Sequence, residues 1–166
     1  VIFCDDDVKS FGIYNGKTVK KTAGIWNDIL EKAKKLPFEL IGINYTQHAW
    51  HEKTSYSINK KYVEVCVLMN VKKIHWDYVK GMKQDRQFCF ETIRNGYGVL
   101  KFNHFWFSCP DVGTNKGGLY NEYKNKDDER LVKSYYPYAK LVRKKDRTEA
   151  KLDIKGFAKS LNKIIK

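Results

Sequence analysis

Apolar positions along the chain fall into runs whose spacing separates strands from helices. FGIYNGKTV, residues 11–19, centres on Asn15-Gly16. Asn-Gly between β-prone residues favours a tight turn, so a β-hairpin is predicted to open the fold. Trp26, Ile29, Leu30 and Ala33 then recur at i, i+3, i+4 and i+7, which predicts an amphipathic helix over 23–35, ended before Pro37. Residues 38–45 and 62–69 read as strands. In YVEVCVLM both alternating sets are largely apolar, the pattern of a central strand covered on both faces.

Ile74, Tyr78, Met82, Cys89 and Ile93 trace one face of a long helix, weakened in its middle by Gly81. Asn95-Gly96-Tyr97-Gly98 turns the chain into a strand over 99–109. Within it, FNHFWFSC sets Phe102, His104, Trp106 and Ser108 on one face and Asn103, Phe105, Phe107 and Cys109 on the other. Apolar bulk on both faces makes this a core strand rather than a platform for stacked bases. Ile154, Phe157, Ala158, Leu161 and Ile165 predict a final helix, opposed by Lys151, Lys155, Lys159 and Lys163 at steps of four. Strands and helices alternate too irregularly for a doubly wound sheet. The expected fold class is α+β, a curved, mostly antiparallel sheet or open β-barrel with flanking helices.

At 166 residues with three prolines, no internal repeat and no linker, the chain reads as one domain over 1–166. Its start at Val1 leaves open excision from a longer protein or processing. No basic and apolar leader is visible, and no apolar run approaches the length of a membrane span, so a cytoplasmic protein is expected. Cys4, Cys66, Cys89 and Cys109 are scattered through apolar segments, which favours reduced, packed thiols over two disulfides.

Charge changes the functional picture. The net charge is +13, and residues 130–166 carry twelve Lys or Arg against three acids, a balance of +9. A field of that sign attracts polyanions, of which nucleic acid is the common one. The 27 Lys against 5 Arg equally suit a protein that fills solvent positions with lysine, and specific base readers use more Arg.

Several motifs carry candidate chemistry. Gly12-Ile13-Tyr14 matches half of the GIY-YIG nuclease signature, but the second half is missing and the hairpin accounts for the segment. His48 and His51, flanked by Glu52, have the spacing of two metal ligands on a helix. The segment reads as extended, which would send them to opposite faces, so no metal is assigned. As a loop bearing Trp50, His51 and Lys53 it has the donors and ring surface of a nucleic-acid contact. Pro110-Asp111 followed by Glu122-Tyr123-Lys124 has the form of the PD-(D/E)XK nuclease motif, in which two carboxylates hold Mg²⁺ and the lysine polarises water. An acid with Lys two positions later also occurs at Asp7/Lys9, Glu149/Lys151 and Asp153/Lys155, so Asp111, Glu122 and Lys124 remain an enzymatic alternative. DVGTNKGG, residues 111–118, offers glycines for close backbone approach and donors at Asn115 and Lys116, without a P-loop or dinucleotide fingerprint.

Ser134-Tyr135-Tyr136, followed by Asp153, Phe157-Ala158, Leu161 and Ile164-Ile165, resembles the end of the N-terminal DNA-binding domains of McrB-type restriction systems. The resemblance covers about 30 residues. It implies a non-catalytic module that recognises specific or modified double-stranded DNA for a restriction or defence complex, with an AAA+ motor and a nuclease subunit as partners. On the residues themselves, phosphate contacts are expected from Lys72, Lys73, Lys116, Lys140, Arg143, Lys144, Lys145 and Arg147. Base contacts are expected from Trp50, His51, Asn115 and Lys116. No cofactor is expected, with Mg²⁺ only for the nuclease alternative. RNA binding, with Tyr135, Tyr136 and Tyr138 stacking bases beside KLVRKK, and a protein-interaction domain are the remaining alternatives.

Overall fold

The hairpin predicted around Asn15-Gly16 forms. Strand β2 (Ser10–Tyr14) pairs antiparallel with β3 (Val19–Lys21), Tyr14 opposite Val19, and Gly16 takes a φ of +91°, which glycine adopts without the Cβ clash of other residues. The computed structural model describes residues 1–16, 19–21, 24–74, 83–110, 126–143 and 148–164. The hairpin does not open the fold, because β1 (Ile2–Cys4) precedes it and pairs with the distant strand β6 (Cys66–Met69). Helix α1 (Ile25–Ala33), strand β4 (Leu40–Tyr45), the single turn α2 (Thr46–Ala49) and strand β5 (Tyr56–Ile58) lie between. Then follow α3 (Gln84–Arg94), β7 (Val99–Ser108), α4 (Lys126–Tyr135), β8 (Ala139–Arg143), β9 (Thr148–Leu152) and α5 (Ile154–Ile164).

The class is α+β, as the pattern predicts. Seven strands form an open sheet in the order β1-β6-β4-β7-β2-β3, with β5 also on β7, and its pairings are antiparallel except β4 with β7. The path ends at β1 and β3 without closing into a barrel. A separate two-stranded ribbon, β8–β9, packs outside this sheet. Two apolar clusters cover the sheet's faces. One joins Ile25, Ile29 and Ala33 of α1 to Ile41, Ile43, Leu100, Phe102, Phe105 and Phe107. The other joins Leu40, Val67 and Val99 to Phe88 and Phe90 of α3, Leu131 and Tyr135 of α4, Ala150 and Leu152 of β9, and Phe157 of α5.

Strict alternation fails in FNHFWFSC, and the reason is a bulge. Phe102 and Phe105, an odd spacing, both belong to the α1-side cluster. Along β4 the pairing jumps from Ile43 opposite Phe102 to Asn44 opposite Trp106, leaving 103–105 unmatched. Asn103 fills the break. Its Nδ2 donates to Thr54 O at 3.0 Å and to Ser57 Oγ at 3.0 Å, while its carbonyl accepts from Asn44 Nδ2 at 3.2 Å. The expected two-face division of 102–109 therefore fails at Phe102, which joins Phe105, Phe107 and Cys109 instead of lying opposite them, and the strand is buried as predicted.

The long helix predicted from Ile74 to Ile93 is also revised. Helix α3 begins after Lys83, whose φ of +59° is left-handed and cannot continue a right-handed helix. Residues 75–82 lie outside the described set. Gly42 is required by close approach, since a Cβ there would sit 2.4 Å from Val63 Cβ. All four cysteines are free thiols, with Cys66 and Cys89 fully buried. No described helix is long and apolar enough to cross a membrane.

Candidate nucleic-acid interface

The basic ribbon follows from the register of β8 and β9. Ala139 faces Leu152 and Leu141 faces Ala150 on one side, which Arg143 opposite Thr148 continues, while Val142 opposite Glu149 lies on the other. Lys140 faces Lys151 directly on the other side. At the base the ribbon is anchored in the core, and β8 emerges from it first, exposure rising from 1% at Ala139 to 45% at Leu141 while Ala150 opposite stays buried. Arg143 lies exposed at the end of β8. Like charges directly opposite on a sheet repel by a few tenths of a kcal/mol up to about 1 kcal/mol, a penalty that an anion lying across them removes.

Ion pairing is distributed unevenly. Lys83 is tied to Asp128 at 2.6 Å, Arg86 to Glu64 at 2.6 Å, Arg94 to Glu91 at 2.8 Å and Arg130 to Asp127 at 3.4 Å. Among the described residues no ion pair engages Lys140, Arg143 or Lys151, nor Lys155 and Lys159, exposed on α5 directly after the ribbon. Asp153 ends the ribbon and starts α5, its Oδ1 accepting from Gly156 N at 2.9 Å.

The segment 46–53 differs from the expectation. Thr46–Ala49 is a helical turn rather than extended chain, and Thr46 Oγ1 donates to Phe107 O at 2.7 Å. Trp50 is 43% exposed and donates from Nε1 to His51 Nε2 at 2.9 Å. Lys53 is exposed beside them. Gln47, His48 and Glu52 of this segment and Glu149 to Asp153 of the ribbon line one cavity of about 640 Å³. Of the Trp50–Lys53 loop only Glu52 lines this opening; Trp50, His51 and Lys53 lie outside its wall.

Lys72 and Lys73 do not join them. Lys73 is paired with Glu39 at 3.0 Å, and Lys72 lines a separate apolar groove with Leu30, Ala33 and Phe38. Asn115, Lys116, Lys144, Lys145 and Arg147 lie outside the described residues, as do Asp111, Glu122 and Lys124 of the nuclease motif. The tyrosines expected to stack on RNA are corrected. Tyr135 is 2% exposed, donates to Glu91 Oε1 at 2.8 Å and packs on Phe90, and Tyr138 packs on Phe157. Tyr136, 80% exposed, alone offers a free ring in that trio.

Comparison with protein-family models, with curated proteins and with solved structures returns no match.

The interior of the cavity holds charged groups that the sequence motifs do not single out. Lys101 comes from the middle of β7 and is 7% exposed. Glu64 lies beside Val65, whose φ of +65° is strained for a β-branched residue. Arg86 pairs with that Glu64 and lies over the Tyr62 ring at 5.3 Å. Burial raises the neighbouring Asp85 carboxyl to about 6, and the Glu64 charge pushes the same way. The only signal for Lys101 and Glu64 was a charge inside each of two otherwise apolar strands.

Asp85 yields a pH prediction with a definite sign. Between the ordinary carboxylate value near 4 and about 6, the folded state binds the proton that the unfolded state has lost. Its contribution is therefore fully present below pH 4 and is lost as pH rises through 6. Asp85→Asn, which keeps an acceptor for the Arg86 amide at 2.9 Å, is expected to raise stability by about 1–2 kcal/mol at pH 7.5 and to leave it nearly unchanged at pH 4. Urea unfolding at the two pH values checks this.

Proposed function

We propose that the chain is a double-stranded DNA-binding module in which the β8–β9 ribbon is the principal contact. The observation that carries the reading is the Lys140–Lys151 pair on the ribbon, with Arg143 near its end and no ion pair among described residues to neutralise any of the three. A two-stranded ribbon has the width of the B-DNA major groove, and lysines on it reach the flanking phosphates. Lys144, Lys145 and Arg147, which connect the strands in sequence, add to the same charge. Trp50, His51 and Lys53, exposed on the neighbouring loop, are the candidates for base contact, with Asn115 and Lys116 as further sequence candidates.

The restriction or defence role rests on the resemblance over 134–165, the stretch that builds the end of α4, the ribbon and α5. On that reading the chain recognises its site without catalysis, and an AAA+ motor and a nuclease subunit act after it. Burial of Tyr135 and the packing of the partly buried Tyr138 on Phe157 favour duplex DNA over unpaired RNA. Competition against a labelled duplex tests this. Unlabelled duplex is expected to displace the label at least tenfold better than single-stranded DNA or RNA of equal length, with methylated and unmethylated duplexes in parallel reading out modification preference. Equal or better displacement by single strands would overturn the duplex assignment.

A further inference from the structure

Lys101 is a buried cation with no hydrogen bond or ion pair among the described residues, and it faces a cavity. Its ammonium lies 6.0 Å from the centroid of the Tyr45 ring. Burial holds its amine below the ordinary lysine range; Glu64 and Glu52 oppose this, and the neighbouring Lys61 reinforces it. A strand interior that keeps a charge against this penalty calls for a directly contacting anion, and none is in place among the described residues.

The remaining charges on the wall define what that group is. Lys61 is paired with Glu52, Arg86 is paired with Glu64, and Asp153 accepts from the first turn of α5. Lys60, Lys101 and Lys151 are left without an ion pair among the described residues, converging on one opening whose wall also carries Glu149. A carboxylate ligand brings one charge, whereas a phosphate monoester brings about −1.5 to −2 and three acceptor oxygens, the better match to several separated donors. The volume of about 640 Å³ falls within the range of small-ligand pockets and exceeds that of a bare ion. Tyr45, half-buried on the wall, offers apolar ring surface for the rest of the molecule.

We propose that this cavity binds a phosphate monoester, with the phosphate on Lys101 and the organic group against Tyr45. The ribbon contributes Lys151 to this wall, but the phosphate is assigned to Lys101, so the site does not require that the ribbon bind duplex. Two sources share this chemistry, a free mononucleotide and the 5′-phosphate at the end of a strand.

Isothermal titration of the full chain with AMP, adenosine and inorganic phosphate tests it, together with binding of blunt duplexes with and without 5′-phosphates. AMP is expected to bind at least tenfold tighter than adenosine. Lys101→Met, which removes the buried charge while keeping the side chain's bulk, is expected to fold with unchanged or higher stability and to lose AMP binding at least tenfold. A preference for the 5′-phosphorylated duplex that disappears in Lys101→Met assigns the site to strand ends; AMP binding without that preference assigns it to a free nucleotide. Equal binding of AMP and adenosine, no binding of AMP or of either duplex end, or AMP binding untouched by Lys101→Met would overturn the proposal. In the wild-type chain, AMP is expected to protect Lys101 from acetic anhydride at least fivefold more than it protects Lys72, read by mass spectrometry. Equal protection of both lysines would identify general attraction to a basic surface and overturn it, whether or not the variant folds.

Discussion

Phe90→Ala is expected to destabilise the protein by about 3–5 kcal/mol, the range for a fully buried phenylalanine truncated in a packed core. Phe90 is completely buried on α3, and its ring meets Tyr135 of α4 at 4.7 Å, Phe157 of α5 at 4.5 Å and Tyr62 at 6.4 Å. Those three partners belong to separate stretches of chain, so none can close the void alone. The same contacts brace the ribbon, because Tyr62 donates its hydroxyl to Leu152 O at 2.6 Å and Tyr138 packs on Phe157. Urea unfolding followed by tryptophan fluorescence reads the change. A loss below about 1 kcal/mol would show that the α3–α4–α5 packing is not the stabilising contact described.

The second large effect is on binding. Replacing Lys140, Arg143 and Lys151 together by glutamine removes three exposed cations that make no ion pair among the described residues, so the fold is expected to keep its stability within about 1 kcal/mol. It also removes the direct Lys140–Lys151 repulsion. If each cation displaces one counterion from the duplex, losing three of them weakens binding by about 10²- to 10³-fold at 0.1 M salt. The matching control is Lys32, Lys34 and Lys35, which lie at the end of α1 on the opposite side of the sheet from the ribbon's cluster. Their replacement by glutamine is expected to change affinity by less than a tenth of that factor. Duplex affinity by fluorescence anisotropy compares the two variants.

Much of the fold could be read from local chemistry. The Asn15-Gly16 turn, the α1 stripe, the core character of 99–108 and the amphipathic α5 each depend on residues close in sequence, and each formed. What escaped depends on partners far away. The bulge in β7 exists because Asn44, Thr54 and Ser57 converge on Asn103, and nothing in FNHFWFSC announces them. The start of α3 is set by the left-handed Lys83, whose ammonium is held by Asp128 and by Ala150 O at 3.1 Å, partners more than 40 positions away. For the site, the basic C-terminal stretch was visible as composition, but the facing of Lys140 and Lys151 needed the strand register. Lys101 and Glu64 were legible only as charges where apolar residues belonged. Lys72 and Lys73 looked equivalent to the ribbon lysines because composition does not reveal Glu39 beside Lys73.

The central claim, that the ribbon neutralises duplex phosphates, is tested most directly by the salt dependence of duplex binding in the wild type and in the Lys140/Arg143/Lys151 triple glutamine variant. Six to eight phosphate contacts give a wild-type slope of log K against log salt of roughly −5 to −7, and losing three contacts makes the slope shallower by about 3. Equal slopes for the two proteins, or a wild-type slope near zero, would contradict the account.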